Sequence, residues 1–127
     1  MIVNIKGRDY NIEFSKNVFV GGDKVDGYVR YFPAFIEIDK NNELFDILDT
    51  VAHELFHAYF HECGLREEQN NEALVSWLGF HLFDIFKSWF SVVSKLNRVL
   101  DKDSISYANY LNFMKECKKM FNKCGVR

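Results

Sequence analysis

The 127-residue chain contains a single proline, Pro33, and only three cysteines, with no C-x-x-C pair. An odd number of cysteines without that spacing predicts neither a disulfide framework nor a cysteine-based zinc site. We therefore expect Cys63, Cys117 and Cys124 to be plain buried thiols in a reducing compartment.

The chain also lacks an excess of positive charge and any long apolar run. Its net charge of −2 gives no reason to expect a nucleic acid or an anionic membrane as partner. The most apolar stretch, residues 73–90, is interrupted by His81, Asp84 and Lys87, so no membrane span is predicted. The first residues alternate as in a strand and do not resemble a signal peptide. We expect a cytoplasmic protein, of undetermined oligomeric state, with no direct nucleic-acid or membrane partner.

What the chain does contain is enough apolar sequence for one core. Apolar residues make up 48% of it, including 13 phenylalanines, which predicts a folded chain with residues 1–127 as a single domain. Residues 1–38 consist of short β-type runs separated by glycine-containing turns. They predict a small, mostly antiparallel sheet of about three or four strands, in which Pro33 marks a break or an edge position.

The period changes to that of a helix after residue 42. Asn41 or Asn42 is a candidate N-cap, and Gly64 is a typical helix-ending glycine. The helix is predicted to have an apolar stripe facing the core, formed by Leu44, Leu48, Val51, Ala52, Leu55 and Tyr59. The side chains on roughly the opposite face are polar, namely Asp46, Thr50, His53, His57 and His61. This pattern favours a functional site under a second layer of structure.

Two further helices are predicted after a polar linker at residues 65–71. The first begins near Asn70 or Asn71 and runs to about Leu100, with small residues at positions 73, 76 and 79 that allow a close approach to the preceding helix. Its apolar residues are expected to be mostly buried, namely Trp77, Leu78, Leu82, Ile85, Trp89, Val92, Val93 and Leu96. The last helix is predicted over residues 105–123, with Ser104 as its cap. The predicted fold class is therefore α+β.

The motif H-E-x-x-H lies in the middle of the first helix. His53 and His57 are four residues apart, so both can bind one metal ion from the same face of the helix. Glu54 is then placed to take a proton from a metal-bound water molecule. Zinc is the expected metal, and hydrolysis of a peptide bond is the expected reaction.

A catalytic zinc site of this kind needs a third protein ligand. Glu72, at the start of the second predicted helix, is the preferred candidate, with Glu62, Glu67 and Glu68 as rivals. His61 continues the four-residue series and is expected to contact a metal ligand or to lie on the surface, with metal binding as a further alternative.

Other polar and aromatic residues are candidates for supporting roles. Zinc peptidases often stabilise the oxyanion with a tyrosine or histidine, and the sequence does not rank the candidates Tyr28, Tyr31, Tyr107 and Tyr110. His81 lies away from the face that carries Glu72, and we expect it to be structural or on the surface.

Three segments together resemble one protein family. They are Ile36-Glu37-Ile38, then Val51-Ala52-His53-Glu54-Leu55-Phe56-His57 with His61 after it, and Asn71-Glu72-Ala73-Leu74-Val75. Their order and spacing over roughly residues 35–80 are similar to those of the ImmA/IrrE family of phage and bacterial metallopeptidase-like proteins.

The resemblance implies a minimal zincin-like fold, in which a small sheet packs on the H-E-x-x-H helix and two further helices. It also implies a gluzincin-like site with His53, His57 and Glu72 as zinc ligands and Glu54 as base. The implied substrate is a regulatory protein, such as the transcriptional repressor of a phage or mobile element. Phe56 stands where the family usually has glycine, which indicates a narrower or differently shaped cleft.

Three hypotheses follow from the sequence. The first is a zinc peptidase that cleaves a specific regulatory protein. The second is a regulatory or protein-binding module that retains zinc on a zincin scaffold but cleaves nothing. The third is a metal-free helical domain in which the motif is coincidental. Replacing Glu54 by Gln separates the first two, and replacing His53 by Ala separates the second from the third.

Overall fold

The computed structural model describes residues 1–123, so Cys124 lies outside the described residues. The chain forms two compact units, Met1–Leu82 and a second that begins at Phe83. The single domain expected for residues 1–127 stays a prediction. Across the described part of the chain, every helix is too short or too polar to cross a membrane.

Six strands occupy the first 39 residues. They are β1 (Ile2–Ile5), β2 (Arg8–Ser15), β3 (Val18–Val20), β4 (Asp23–Val25), β5 (Gly27–Tyr31) and β6 (Ala34–Asp39). Four of them form one sheet in the order β1-β2-β6-β5, and β3 pairs with β4 in a separate two-stranded sheet. Pro33 lies in the turn between β5 and β6, which makes it a break between strands, as one of the two predicted alternatives had it.

The predicted small, mostly antiparallel sheet is confirmed, with one parallel pair that the sequence did not predict. The pairs β1–β2 and β5–β6 are antiparallel, whereas β2 and β6 run parallel, with Ile12 opposite Ile36. Both of these isoleucines are buried. Parallel neighbours need a long crossover connection, and residues 16–33, which include the β3–β4 hairpin, provide it.

Four α-helices and one short 3₁₀ helix follow in the described residues. They are α1 (Leu44–Glu62), α2 (Arg66–Gln69), α3 (Glu72–Val93), the 3₁₀ helix Leu96–Arg98 and α4 (Ile105–Lys123). The α+β class and the extent of α4 agree with the sequence. The sequence missed α2, which it assigned to a linker, and it extended α3 several residues too far.

The helix ends show one correction. Ser104 caps α4, because its Oγ accepts a hydrogen bond from the Tyr107 backbone N–H at 3.1 Å. The predicted asparagine cap of α1 is wrong, since Glu43 occupies that position and its side chain makes no capping bond. The side chain of Asn42 instead donates to Asp26, at 3.0 Å. Gly64, with a φ of 72°, follows the end of α1 as predicted.

The core of the first unit lies between the sheet and α1. Buried residues of the sheet, including Ile5, Tyr10 and Ile38, form its centre. The helix contributes Ala58, with Ile47, Val51 and Leu55 packed against the cluster.

The predicted core stripe of α1 is therefore partly wrong. Leu44, Leu48 and Tyr59 are exposed. Glu54, His57 and Ala58 are among the buried residues of α1, so the face that packs on the sheet is rotated toward the motif and away from Leu44, Leu48 and Tyr59.

The predicted burial of α3 is also wrong for most of its length. Trp77, Leu82, Ile85, Trp89 and Val92 are all exposed, and Leu78, Val93 and Leu96 are half-buried. Only Val75 and Gly79 of this helix are buried. Helical periodicity shows which residues share a face, but it does not show whether another layer covers that face.

The cysteines differ from their predicted role as well. Cys63 is exposed, because it caps the C-terminal end of α1, and Cys117 on α4 is half-buried. The prediction of buried thiols is thus wrong for Cys63.

Candidate metal centre

Helix α1 brings the two histidines of the motif together. Their positions four residues apart place them one turn apart on the same face. The Nε2 atoms of His53 and His57 are 3.1 Å from each other. The rings meet edge to face, with centroids 4.8 Å apart. Two nitrogen donors thus point to one location.

Glu72, the first residue of α3, supplies a carboxylate at the same location. Its Oε2 lies 3.1 Å from the Nε2 of His53, and its Oε1 lies 2.9 Å from the Nε2 of His57. The start of α3 is fixed by the side chain of Asn71, which accepts a hydrogen bond from the backbone N–H of Leu74 at 3.0 Å.

The three side chains form a group that could hold a metal ion. Their donor atoms all lie within 4.8 Å of one another. A tetrahedral zinc ion with bonds of about 2.0–2.1 Å requires ligand atoms roughly 3.3 Å apart. The observed separations of 2.9–3.1 Å are close to that value. The set of two imidazoles and one carboxylate also matches the ligands of a catalytic zinc site, which leaves one position for water.

The contacts of the second ring nitrogens suit metal binding by Nε2. The Nδ1 of His57 lies 2.6 Å from the backbone carbonyl oxygen of Gln69. A carbonyl can only accept, so Nδ1 carries the proton and Nε2 keeps its lone pair for a metal. The Nδ1 of His53 is 3.4 Å from the Oγ of Ser76. Burial and the neighbouring His57 lower the pKa of His53, which favours its neutral form.

Glu54 lies beside this group and is almost completely enclosed, with 6% of its surface exposed. Burial, and to a lesser extent the negative charge of Glu72, raise the pKa of Glu54 to about 7. No described residue donates a hydrogen bond to its side chain. The carboxyl group is therefore suited to accept and release a proton near neutral pH.

The structure does not bring the other predicted ligand candidates into the group. His61 stacks on Tyr31, with ring centroids 3.9 Å apart, and its Nδ1 lies 3.1 Å from the Oε1 of Gln69. Glu62 contacts Arg8 instead, and Glu67 and Glu68 are outside the group as well. His61 thus contacts Gln69, whose carbonyl orients a candidate ligand.

Gln69 is a residue that the sequence did not single out. Its backbone carbonyl accepts from His57, and its side chain contacts His61 and hydrogen bonds with Tyr31. It is the last residue of α2, the short helix that the sequence assigned to a linker. No periodicity marks a four-residue helix, so the sequence offered no signal for this contact.

A polar cluster that the sequence also missed holds the end of β5. The Nη1 of Arg8 lies 3.0 Å from the Oε1 of Glu62, and the same oxygen accepts a hydrogen bond from the hydroxyl of Tyr10 at 2.6 Å. Arg8 also donates to the backbone carbonyl of Tyr31. These bonds outweigh the effect of burial and keep the pKa of Glu62 below its ordinary value.

Two cavities meet at the candidate centre, because His53 and Glu54 line both. The first has a volume of about 430 Å³, and the residues around it are Asp26, Gly27, Asp49, Thr50, Ser76 and Phe80. The second has a volume of about 380 Å³, and its other residues are Gly27, Tyr28, Val29, Tyr31, His57, Gln69, Asn70 and Glu72.

The lining of these cavities separates the four tyrosines that are candidates for stabilising the oxyanion. Tyr28 and Tyr31 line the second cavity, whereas Tyr107 and Tyr110 belong to the second unit. Phe56 is not among the residues that line either cavity, and its ring centroid lies 6.3 Å from that of Phe60. The expectation that Phe56 shapes the cleft stays a prediction.

His81 makes the kind of contact expected of a structural residue. Its ring centroid is 4.6 Å from that of Trp77 and 5.0 Å from that of Phe80, all on α3.

A comparison of the chain with protein-family models, with curated proteins and with solved structures found no match.

Proposed function

We propose that this chain is a zinc-dependent peptidase with a minimal zincin-like fold. The observation that carries the proposal is the convergence of His53, His57 and Glu72 beside the buried carboxyl group of Glu54. Two imidazoles, one carboxylate and an adjacent base are the parts that hydrolytic zinc sites use.

The residues would divide the chemistry as follows. His53, His57 and Glu72 would hold the metal, with the Gln69 carbonyl fixing the ring of His57. A bound zinc ion would polarise the substrate carbonyl and make a water molecule more acidic. Glu54 would accept a proton from that water and return it to the leaving amine. Burial of Glu54 keeps its basicity high, which makes it a better proton acceptor than an exposed carboxylate.

Tyr31 is the preferred candidate for a hydrogen-bond donor to the oxyanion. It lines the same cavity as His57 and Glu72, and its ring is held against His61. Burial raises the pKa of Tyr31, so its hydroxyl keeps its proton and can donate. Tyr28 lines the same cavity and is the alternative.

The substrate we propose is a specific regulatory protein, such as a transcriptional repressor of a phage or mobile element. This part of the proposal is supported by the resemblance of residues 35–80 to the ImmA/IrrE family. Cytoplasmic location belongs to the same proposal.

The first experiment measures the metal content of chain purified without an affinity metal or a chelator. We expect one zinc ion per chain and its loss in His53→Ala. His81→Ala, a histidine outside the group, is the matched control and should retain the metal. A wild-type chain that takes up no zinc even on reconstitution would contradict the proposal and leave a metal-free domain with a coincidental motif.

A second variant separates an enzyme from a zinc-containing binding module. In Glu54→Gln the zinc ligands are unchanged and the carboxylate is lost. We expect this variant to keep zinc and to lose at least roughly a hundredfold of its peptidase activity, which is the usual contribution of a general base. If the chain binds zinc and its partner equally well with and without Glu54, and cleaves nothing, the non-catalytic alternative is correct.

A further inference from the structure

The first cavity beside the candidate centre is rich in negative charge. Asp26, Asp49 and Glu54 line it, and Ser76 and Phe80 belong to the same lining. Asp26 is the residue before β5, Asp49 lies in α1, and Phe80 lies in α3. Three separate elements of the first unit thus contribute to one cavity of about 430 Å³.

The protein itself does not neutralise these carboxylates. Within residues 1–123, no lysine or arginine forms an ion pair with Asp26, Asp49 or Glu54. The bond that Asp26 accepts comes from the neutral side-chain amide of Asn42. A cationic ligand would supply the positive charge that these side chains lack.

Glu54 independently indicates that something enters this cavity. Its side chain is more than nine-tenths buried, yet it has no hydrogen-bond donor among the described residues. Glu54 lines both cavities, and its carboxyl oxygens are not among the fully buried polar atoms without a partner. Water or a ligand in the cavity can therefore donate to this carboxyl group.

The two aspartates are not part of a metal-binding group among the described residues. His53, His57 and Glu72 are the group whose donor atoms converge closely enough for a metal, and Asp26 and Asp49 do not belong to it. A longer cation, carried on a flexible stem, can reach between them.

We propose that this cavity binds a positively charged group of the peptide substrate, next to the bond that is cleaved. The inference rests on the proposed peptidase function and adds a substrate class to it. Asp49 and Asp26 would contact an ammonium or guanidinium group, and the exposed ring of Phe80, which lines the same cavity, would add a cation–π contact. The other cavity, which has tyrosine and amide walls, would hold the peptide on the far side of the bond.

The positive group has two possible chemical sources in a peptide. One is the side chain of lysine or arginine, and the other is a free α-amino terminus. Both present the same charge to the cavity, but a free terminus would restrict cleavage to the end of a chain. The experiment therefore varies the two independently.

The test uses four short peptides on one scaffold with the zinc-loaded full chain. The first is acetylated and carries one lysine, and the second replaces that lysine by acetyl-lysine, which has a similar length and no charge. The third and fourth carry acetyl-lysine or lysine with a free N-terminus. Binding is measured by calorimetry and cleavage by mass spectrometry, each at low and high salt. Further sets of four peptides place the lysine at other positions of the scaffold, so that its distance from the cleaved bond is varied as well.

We expect the charged peptides to bind and to be cleaved roughly tenfold better or more, as for hydrogen bonds to charged groups. The preference should decrease at high salt. Asp49→Asn should remove most of it. Asp46→Asn removes the same charge from α1 outside the cavity, and it should keep the preference.

The outcomes separate this inference from the proposed function. A preference for the free terminus that acetylation abolishes would assign the cavity to the α-amino group. A preference in binding without any cleavage would keep the cationic site and remove the peptidase. Equal binding of charged and neutral peptides, with no effect of Asp49→Asn, would overturn the cationic site, even if every peptide were cleaved.

Discussion

The buried position of Glu54 raises the basicity of its carboxyl group and lowers the stability of the folded chain at neutral pH. A carboxyl group this deeply buried resists ionisation, and its pKa rises from an ordinary value of 4.5 to about 7. The folded chain therefore binds a proton more tightly at this position than the unfolded chain does. Between pH 4.5 and 7, the contribution of Glu54 to the free energy of unfolding therefore falls as the pH rises.

This linkage gives a prediction for the metal-free protein. With a chelator present, Glu54→Gln should be more stable relative to wild type at pH 8 than at pH 5, by about 3 kcal/mol at most. Urea unfolding at both pH values measures the difference. The lowered pKa of His53 produces a slope of the opposite sign, but both proteins share it. Glu67→Gln, an exposed carboxylate on α2, is the control. A difference that does not change with pH would show that Glu54 ionises normally.

Sequence reasoning works best for residues whose geometry is local. His53 and His57 meet because a helix places residues four apart on one face, and this holds whatever surrounds the helix. The sequence favours Glu72 over Glu67 and Glu68 only as the better of several positions, and the structure places it at both imidazoles. Gln69 and Arg8 act through contacts between elements that are distant in the sequence, and no local sequence pattern predicts such contacts.

At the scale of elements, the contact between α1 and α3 determines where Glu72 lies. Gly79 makes that contact possible. A Cβ atom at this position would lie 3.2 Å from the backbone nitrogen of His53 and 3.3 Å from the carbonyl oxygen of Asp49. Both atoms belong to the backbone of α1, which can move away only as a whole. The two helices therefore approach closely because this position has no side chain.

Gly79→Ala should accordingly have an effect opposite to that of an ordinary glycine replacement in a helix. Alanine normally stabilises a helix interior by about 1 kcal/mol relative to glycine. Here we expect a loss of roughly 1–2 kcal/mol from overpacking, and several-fold weaker zinc binding as Glu72 moves from the histidines. Chemical unfolding and a chelator competition measure the two effects. Ser88→Ala, at an exposed position of α3, should change neither zinc affinity nor packing. Full zinc affinity in Gly79→Ala would show that Glu72 is placed by other contacts.

The elements themselves were predictable where a pattern is long and strongly periodic. The boundaries of α4 and the helical state of the motif follow from runs of 19 residues each. The parallel pairing of β2 with β6 was not predictable, because strand order depends on how distant segments pack. The exposure of Trp89 and Val92 has the same cause: an apolar face is visible in the sequence, but the layer that would cover it is not.

At the scale of the whole molecule, metal binding is coupled to the folding equilibrium of the chain. All three candidate ligands lie in the first unit, Met1–Leu82, and the rings and the carboxylate come together only when α1 and the start of α3 are in place. A ligand that binds only the folded form stabilises it by an amount that depends on concentration. At one hundred times its dissociation constant, zinc should add about 2.7 kcal/mol to the free energy of unfolding.

The stabilisation by zinc should be larger in the first unit than in the second, and a comparison of the two units can measure this difference. We expect zinc to raise the midpoint of thermal unfolding by about 8 °C and to slow hydrogen exchange most at amides of α1, α2 and the start of α3. Amides of α4 should slow less, because no candidate ligand lies in that helix and local openings there need not release the metal. Glu72→Ala should lose most of the thermal shift, and Glu68→Ala, outside the metal group, should keep it. Equal protection of α1 and α4 by zinc would mean that the two units open only together.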